Sequence, residues 1–364
     1  MRNFNIWTRT AALCIFFSVS FAFQFSLVEK SSESNTELQY PLISYPYVDN
    51  SLDNLLTENE FSGDRNLQAS IQENLKRLEK MPERDLKDYS YGVHWRNTMD
   101  FWKAESDKPT PVVIFFHGGD FTGGDKSFYY GDSLVIACLN NGISVITANY
   151  RYITQASFPG PFLDAARLIQ YVRYNANQWG IDPALIAAKG RSAGGNLAIW
   201  LAVYDDLADP GNQDPVLRHS SRLTTIIAKN AQTSNDPFFI WDNIYNGNEV
   251  HSSVYDFFGL KEMSRYGLNN ELSKKKYREM AFEASALNHV TKDDPPAFLI
   301  YPQRIDEWDG NPLPDGTSQS KYAQHVSFGK YFKDEYAKLG LICRLGAFKD
   351  LTVEVEIEWL KKWF

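Results

Sequence analysis

The residue best suited to covalent chemistry is a serine between two glycines. Ser192 lies in Gly-Arg-Ser-Ala-Gly, residues 190–194, between an apolar strand-like run and a helical pattern. A sharp strand-to-helix turn of this kind exposes the serine hydroxyl above a sheet. The helix start also places partial positive charge beside a developing oxyanion. The segment therefore predicts acyl transfer through Ser192, provided that a base takes the proton of its hydroxyl.

A second glycine-rich stretch supports this chemistry. Gly118 and Gly119 follow the apolar run "VVIFF", and glycine lets the main chain approach a ligand closely. The backbone N–H groups of Gly118, Gly119 and Ala193 are the predicted oxyanion hole. His117 precedes the serine in the chain and is interpreted as a structural histidine that braces this loop.

Short apolar runs alternate with helical patterns from Tyr89 onwards, and this alternation predicts a mostly parallel sheet with helices on both faces. The runs are Val112–Phe116, Ile143–Ala148, Leu185–Ala188, Leu223–Ala228, Ala297–Tyr301 and Leu341–Leu345. The helical patterns include Asp164–Tyr174, Asn196–Tyr204 and Phe328–Leu339. "YGVHW" (Tyr91–Trp95) and "TMDFW" (Thr98–Trp102) are predicted to form an antiparallel pair that leads into the sheet.

Residues 231–294 interrupt the alternation and are rich in aromatic residues. The aromatics are predicted either to form a satellite core or to line a substrate pocket under a lid. The basic run Lys274-Lys275-Lys276 in this segment is interpreted as a solvated helix face.

The segment 89–364 resembles the α/β-hydrolases of the hormone-sensitive-lipase and feruloyl-esterase-like (BD-FAE-like) group. The matching pieces are "HGGDFTGGDKS", "ANYRY", "FPGPFLDAARLIQYVRYNANQWGIDPALIAAKGRSAGGNLA" and "DDPPAFLIYP". The resemblance implies an eight-stranded sheet, a serine nucleophile and ester hydrolysis without a cofactor. It also favours a helix for residues 351–364, where periodicity alone fits either a strand or a helix. Asp120 stands where the family usually has a third glycine, and its side chain is expected to point away from the site.

The acid and the base of a catalytic triad are predicted from chain order, which in this fold is serine, acid, histidine. Asp306 is the predicted acid, with Glu307 and Asp309 nearby. The last loop, "LGAFKDLTVEV", lacks the histidine that the resemblance places there, and Lys349 is its only titratable base. His325 is the one histidine after Asp306 and is the predicted base. The alternative is a helix-start histidine that is satisfied by local backbone.

The N-terminus predicts export. Arg2 and Arg9 precede the apolar run 11–25, and Ser20-Phe21-Ala22 offers a cleavage site, so residues 1–22 are predicted to be a signal peptide of a periplasmic or secreted protein. The alternative is an uncleaved N-terminal anchor. Residues 23–88 form a polar lead-in that contains one amphipathic helix, with apolar residues recurring at helical spacing between Leu67 and Leu78.

The net charge and the motifs of the chain indicate which partners and cofactors it is expected to bind. Cleavage removes two arginines and no acidic residue, so the formal net charge changes from −8 to −10. An acidic exported protein is expected to bind neither nucleic acid nor an anionic membrane, and no stable membrane insertion is expected after cleavage. No Cys/His zinc spacing and no Walker loop occur, so neither a metal nor a cofactor is predicted. Cys138 and Cys343 are interpreted as buried thiols.

These observations predict an exported serine carboxylic-ester hydrolase. Its substrate would be a small-molecule ester or an ester linked to a polysaccharide. The alternative is a hydrolase-fold protein that binds a ligand without turnover, because the expected C-terminal histidine is missing and Asp120 departs from the family pattern.

Overall fold

A central sheet positions the rest of the molecule. The computed structural model describes residues 76, 79, 81–247, 251 and 253–364. Its strands are β1 Leu86–Ser90, β2 Thr98–Trp102, β3 Thr110–Phe116, β4 Ser144–Ala148, β5 Ile181–Arg191, β6 Thr225–Lys229, β7 Tyr245–Asn246, β8 Ala297–Tyr301, β9 Leu313–Pro314 and β10 Cys343–Ala347. Eight of them form one sheet in the order β1-β2-β4-β3-β5-β6-β8-β10, and β7 pairs with β9 separately. Strand β2 runs antiparallel to β1 and β4, and the neighbours from β4 to β10 are parallel.

The strands form where the sequence is continuously apolar. Every residue of β4 and β8 is buried, as expected for parallel strands covered on both faces. The predicted runs coincide with β3, β4, β5, β6, β8 and β10, although β5 is longer than its apolar run and β10 starts two residues later. The predicted parallel sheet is confirmed.

The predicted leading hairpin is partly wrong. Its first strand is Leu86–Ser90, whereas Tyr91–Trp95 forms the connection to β2. The Tyr91 N–H donates to the Asn97 carbonyl at 2.9 Å, and the Asn97 side chain accepts the N–H of His94 at 3.2 Å. These bonds close a turn that leaves the apolar side chains of Val93 and Trp95 exposed. The segment predicted as the first strand is therefore a turn that the Asn97 side chain holds.

Helices cover both faces of the sheet. They are α1 Ser133–Asn140, α2 Gly160–Trp179, α3 Ala193–Val203, α4 Pro237–Asn243, α5 Ser253–Phe258, α6 Arg265–Leu272, α7 Lys275–Ala284, α8 Gln319–Ala323, α9 Val326–Lys338 and α10 Val353–Trp363. Helices α2, α3 and α9 pack into the larger apolar core, and α1 and α10 pack into a second core on the other face. This architecture is the α/β-hydrolase fold, and the C-terminal segment is the helix that the resemblance favoured.

Residues 231–294, here called the lid insertion, separate β6 from β8 and contain α4 to α7. Phe257 and Phe258 are buried against the larger core, whereas Tyr266 is 78% exposed. The lysine run lies at the exposed start of α7, as predicted. The insertion is therefore packed onto the fold by some of its aromatic residues and presents others to solvent or to a cavity.

Several sequence predictions fall on residues that the structure does not describe. The predicted signal peptide (residues 1–22) and the predicted helix of the lead-in lie outside the described residues. Within the described part of the chain, no helix combines the length and the apolar character needed to cross a bilayer. Cys138 is a buried free thiol, as predicted, and Cys343 is a half-buried one.

Candidate active site

The main chain at Ser192 makes a sharp turn between β5 and α3. Its φ is 51° and its ψ is −119°, a conformation that non-glycine residues seldom adopt. The Ser192 N–H donates to the carbonyl of Lys229, the last residue of β6, at 2.8 Å. A Cβ on Gly194 would overlap the carbonyl oxygen of Phe116, so the turn requires glycine there. The geometry is that of a nucleophile elbow, in which strain is held by the surrounding sheet.

The glycine loop after β3 passes directly beside this serine. A Cβ built on Gly118 would lie 3.6 Å from the Ser192 Cβ. Gly119 has a φ of +109°, which favours glycine. Among the described residues, no backbone carbonyl accepts the N–H groups of Gly118, Gly119 or Ala193. These three donors are therefore available to the oxygen of a ligand at Ser192.

His117 braces the glycine loop, as the sequence predicted. Its Nε2 accepts a hydrogen bond from Arg96 Nη2 at 3.2 Å, which leaves the proton on Nδ1. That Nδ1–H donates to the Gly118 carbonyl at 2.7 Å, and the ring stacks on Tyr150 with a centroid separation of 4.4 Å. Burial lowers the pKa of His117 to about 4, so the ring is neutral at pH 7.

The structure does not bring Asp306 to a histidine. Its side chain is 64% exposed and pairs with Arg304 at 3.1 Å. The neighbouring Glu307 forms an ion pair with Lys349, the only titratable base of the last loop. The predicted acid, Asp306, is therefore engaged in an ion pair in a solvated loop. Lys349 is engaged in a second ion pair of the same loop, with Glu307.

The predicted base, His325, lies directly before α9 and is 2% exposed. Its Nδ1 is 2.7 Å from Ser327 Oγ and accepts the Ser327 N–H at 3.3 Å, so the ring caps the helix. Burial lowers the pKa of His325 to about 4, and the opposing negative charge is that of Asp309. This is the helix-start arrangement that the sequence left as the alternative.

Ser192 opens into a small cavity, here called the serine cavity. It is lined by Asp120, Phe121, Ser192, Ala193, Asn196, Asn230, Gln232, His251, Ser253 and Ala323. Neither Asp306 nor His325 belongs to this lining. Among the described residues, no hydrogen bond joins Ser192 Oγ to a histidine.

Asp120 is not remote from the site, as its expected orientation would make it. It lies in the lining of the serine cavity and its charge acts on the His251 ring. The main chain has positive φ angles of 51° at Asp120 and 60° at Phe121. Aspartate tolerates this left-handed conformation better than most residues. A carboxylate therefore stands at the rim of the site, beside the glycine loop.

His251 is the residue that the sequence analysis missed. It belongs to the lid insertion, and its Nδ1 lies 2.6 Å from Ser253 Oγ. Burial lowers the pKa of His251, and the negative charge of Asp120 acts against that shift. The order serine, acid, histidine excluded it, because it precedes Asp306 in the chain. Its position just before the aromatic helix α5, in a segment inserted above the elbow, was the available signal.

A second cavity, here called the aromatic cavity, adjoins the first and shares Phe121, Gln232, His251 and Ser253 with it. Its other lining residues are Asn235, Pro237, Ile240, Trp241, Tyr245, Val254, Phe257, Phe258 and Tyr322. Most of them come from the lid insertion. The aromatics of this segment thus both pack on the core and line a pocket next to the serine.

Two amides tie the lid insertion to the helix behind the serine. Asn196 Nδ2 donates to Asn235 Oδ1 at 2.8 Å, and Asn235 Nδ2 donates to Asn196 Oδ1 at 3.1 Å.

Within the described residues, no group of three or more His, Cys, Asp or Glu side chains could hold a metal ion. The site as described offers a half-buried serine, three N–H donors, a histidine and a carboxylate.

The chain is similar to known esterases. The BD-FAE family model matches residues 99–307, more than half of the chain. LipM of Mycobacterium tuberculosis, described as a probable carboxylic ester hydrolase, is 26% identical over 225 residues, which is 59% of this chain and 46% of LipM. Esterase LipQ of the same organism is 27% identical over 223 residues, or 60% of this chain and 48% of LipQ. The chain spans about half the length of these curated relatives.

A solved structure shows the same fold. The acetyl ester-xyloside bifunctional hydrolase from Caldicellulosiruptor lactoaceticus aligns with a TM-score of 0.54 at 24% identity. The alignment covers 73% of this chain and 87% of that protein.

Proposed function

The chain belongs to the BD-FAE family, and on that premise we propose that it is a carboxylic ester hydrolase that works through an acyl-enzyme on Ser192. The observation that carries the proposal is the elbow itself. A serine at φ 51° lies between β5 and α3, with the main chain of Gly118 directly beside it. Names of relatives such as LipM and LipQ point to the same reaction class.

The reaction follows from the groups at the elbow. Ser192 Oγ attacks the ester carbonyl, and the N–H groups of Gly118, Gly119 and Ala193 stabilise the oxyanion that forms. Collapse of the tetrahedral intermediate expels the alcohol, and water then hydrolyses the acyl-enzyme. The proposal does not depend on Asp306 or His325, because neither lines the serine cavity.

The cavities support a small acyl or aryl ester as the substrate. The serine cavity has room for the reacting carbonyl, and the adjoining aromatic cavity offers Trp241, Phe257 and Tyr322 to an apolar group. The natural ester would be a small molecule or a substituent on a polysaccharide. The solved structure of an acetyl ester-xyloside hydrolase with the same fold is consistent with the second form.

Export is part of the proposal. Residues 1–22 carry the basic, apolar and small-residue pattern of a signal peptide. Expression of the full chain in a Gram-negative host should yield a periplasmic or secreted product whose N-terminus lies near residue 23. An intact N-terminus on a membrane-bound product would instead identify an uncleaved anchor.

The function is tested by initial rates on p-nitrophenyl acetate and butyrate. Wild type is compared with Ser192→Ala and with Ser106→Ala, a control at an exposed serine. Loss of the nucleophile should lower kcat/KM at least about a thousandfold, whereas the control should retain the wild-type rate. Intact-mass analysis after fluorophosphonate treatment should show one adduct on wild type and none on Ser192→Ala. Equal rates for wild type and Ser192→Ala would refute the hydrolase and favour a binding protein.

A further inference from the structure

The lid insertion carries the one histidine that lines the serine cavity. We propose that His251 is the general base that activates Ser192, and that Asp120 supplies the negative charge that stabilises the resulting imidazolium. This inference rests on the proposed function. In this assignment the base precedes the predicted acid, Asp306, in the chain, whereas the predicted base, His325, follows it.

The other histidines are engaged elsewhere. The chain has six histidines, and the structure describes all of them. His117 is held between Arg96 and the glycine loop. His325 contacts Ser327 through Nδ1 as His251 contacts Ser253, but it lines neither cavity. The Nε2 of His289 lies 3.1 Å from the carbonyl of Glu283. The remaining two, His94 and His219, line neither cavity, which leaves His251 as the histidine at the serine.

The contacts of His251 suit a base. Both polar groups of Ser253 face its Nδ1, the hydroxyl at 2.6 Å and the N–H at 3.2 Å, and together they orient the ring. The Ser253 N–H donates to Nδ1, so the resting ring carries its proton on Nε2. To accept the Ser192 proton at Nε2, the ring changes to the tautomer whose Nδ1–H donates to the Ser253 hydroxyl. Burial lowers the pKa of His251, so the ring is neutral and able to accept a proton at pH 7.

Asp120 supplies the negative charge that the acid of a catalytic triad normally supplies. It lines the same cavity, and its charge favours the protonated ring, against the effect of burial. A carboxylate beside an oxyanion hole opposes catalysis unless a cation offsets its charge, and protonated His251 is that cation. The replacement of a glycine by Asp120 and the missing histidine of the last loop thus have one common explanation.

The proton balance is that of acyl transfer. His251 Nε2 takes the proton of Ser192 Oγ as the Oγ–carbon bond forms and the carbonyl electron pair moves to oxygen. The imidazolium returns this proton to the alcohol oxygen as the carbon–oxygen bond breaks. Water then loses a proton to Nε2 as it attacks the acyl-enzyme, and the proton goes to Ser192 Oγ when the carboxylic acid leaves.

The test compares kcat/KM on p-nitrophenyl butyrate for wild type, His251→Ala, His325→Ala and the control His289→Ala. Loss of the base should lower the rate about a hundredfold to ten-thousandfold, and the other two histidine variants should stay within about threefold of wild type. Added imidazole should restore part of the activity of His251→Ala and should leave that of Ser192→Ala unchanged. A histidine with a purely structural role would not be rescued in this way.

Two further variants keep the test decisive if His251→Ala does not fold. His251→Gln retains a polar side chain of similar size and should lose as much activity as the alanine variant. Ser253→Ala removes the hydroxyl partner of Nδ1 and should lower kcat about tenfold with little change in KM.

The outcomes separate the two proposals. Ser192-dependent hydrolysis that survives both His251 substitutions, or that is lost in His325→Ala, would overturn the inference and leave the proposed function intact. Wild-type protein that is no faster than Ser192→Ala would overturn both.

Discussion

Arg96→Met should weaken the fold and slow catalysis together, because Arg96 lies behind the glycine loop. Arg96 is 4% exposed, and its guanidinium donates to four acceptors. They are the carbonyls of Tyr150 at 2.8 Å and Gly124 at 3.1 Å, His117 Nε2 at 3.2 Å and Asn149 Oδ1 at 3.3 Å. Methionine fills much of the same volume but donates to none of them.

The loss of stability in Arg96→Met depends on which of the four acceptors keep a hydrogen bond from another donor. Asn149 Oδ1 retains the N–H of Lys126 at 2.7 Å, and the Gly124 carbonyl retains the hydroxyl of Tyr152 at 2.5 Å. The other two acceptors are left buried without a donor, at about 1–3 kcal/mol each. We therefore expect a loss of roughly 3–4 kcal/mol. For a domain of this size 1 kcal/mol corresponds to about 2 °C, so Tm should fall by about 6–8 °C.

The functional consequence passes through His117. Without the donor to Nε2, only the Gly118 carbonyl holds the ring in the Nδ1–H tautomer, and the oxyanion donors are less firmly positioned. We expect kcat to fall about tenfold to a hundredfold with KM nearly unchanged, because the loss is felt in the transition state.

Differential scanning fluorimetry and p-nitrophenyl butyrate kinetics measure both effects. Arg304→Met is the matched control, since Arg304 is 48% exposed and its ion pairs with described residues are to the surface acids Asp306 and Asp350. Wild-type Tm and kcat in Arg96→Met would refute the reasoning, as would an equal loss in the control.

Three further predictions concern the elbow, the pH dependence of stability and the predicted acid. Gly194→Ala should prevent folding, because the added Cβ would overlap the Phe116 carbonyl oxygen; far-UV circular dichroism of the purified chain tests this. Between pH 6.5 and 4 the unfolded chain binds a proton at His117 that the folded chain does not, because the folded pKa is about 4. Stability should therefore decline as pH falls through this window, by roughly 3 kcal/mol from this group, and urea midpoints at pH 7.5 and 4.5 should differ less in His117→Gln than in wild type. Asp306→Asn should leave kcat/KM on p-nitrophenyl butyrate within about twofold of wild type, since its carboxylate is exposed and pairs with Arg304; a hundredfold loss would restore it as the acid.

The sheet could be predicted because its strands are buried on both faces. Runs such as Val112–Phe116 and Ala297–Tyr301 have no polar face, and this composition distinguishes parallel strands covered by helices. The connection Tyr91–Trp95 could not be predicted in the same way. Its turn is held by Asn97, a contact between residues that no periodicity reveals.

The two halves of the site differ in how far a sequence can specify them. The elbow at Ser192 and the loop at Gly118 depend on main-chain geometry, which glycines at fixed offsets reveal directly. The acid and the base are side chains on separate elements, and chain order describes the usual connection between those elements rather than their distance. Chain order therefore selected Asp306 and His325, which the structure places in a solvated loop and in a helix cap.

A base needs only a ring nitrogen that reaches the serine hydroxyl, so the fold constrains its origin less than it constrains the nucleophile. The elbow is tied to the junction of β5 and α3 by the hydrogen bond from the Ser192 N–H to the Lys229 carbonyl. A histidine can instead come from any segment that lies over this junction. The lid insertion lies there, anchored by the reciprocal bonds of Asn196 and Asn235. Loss of the histidine of the last loop is therefore compatible with catalysis when the insertion supplies His251.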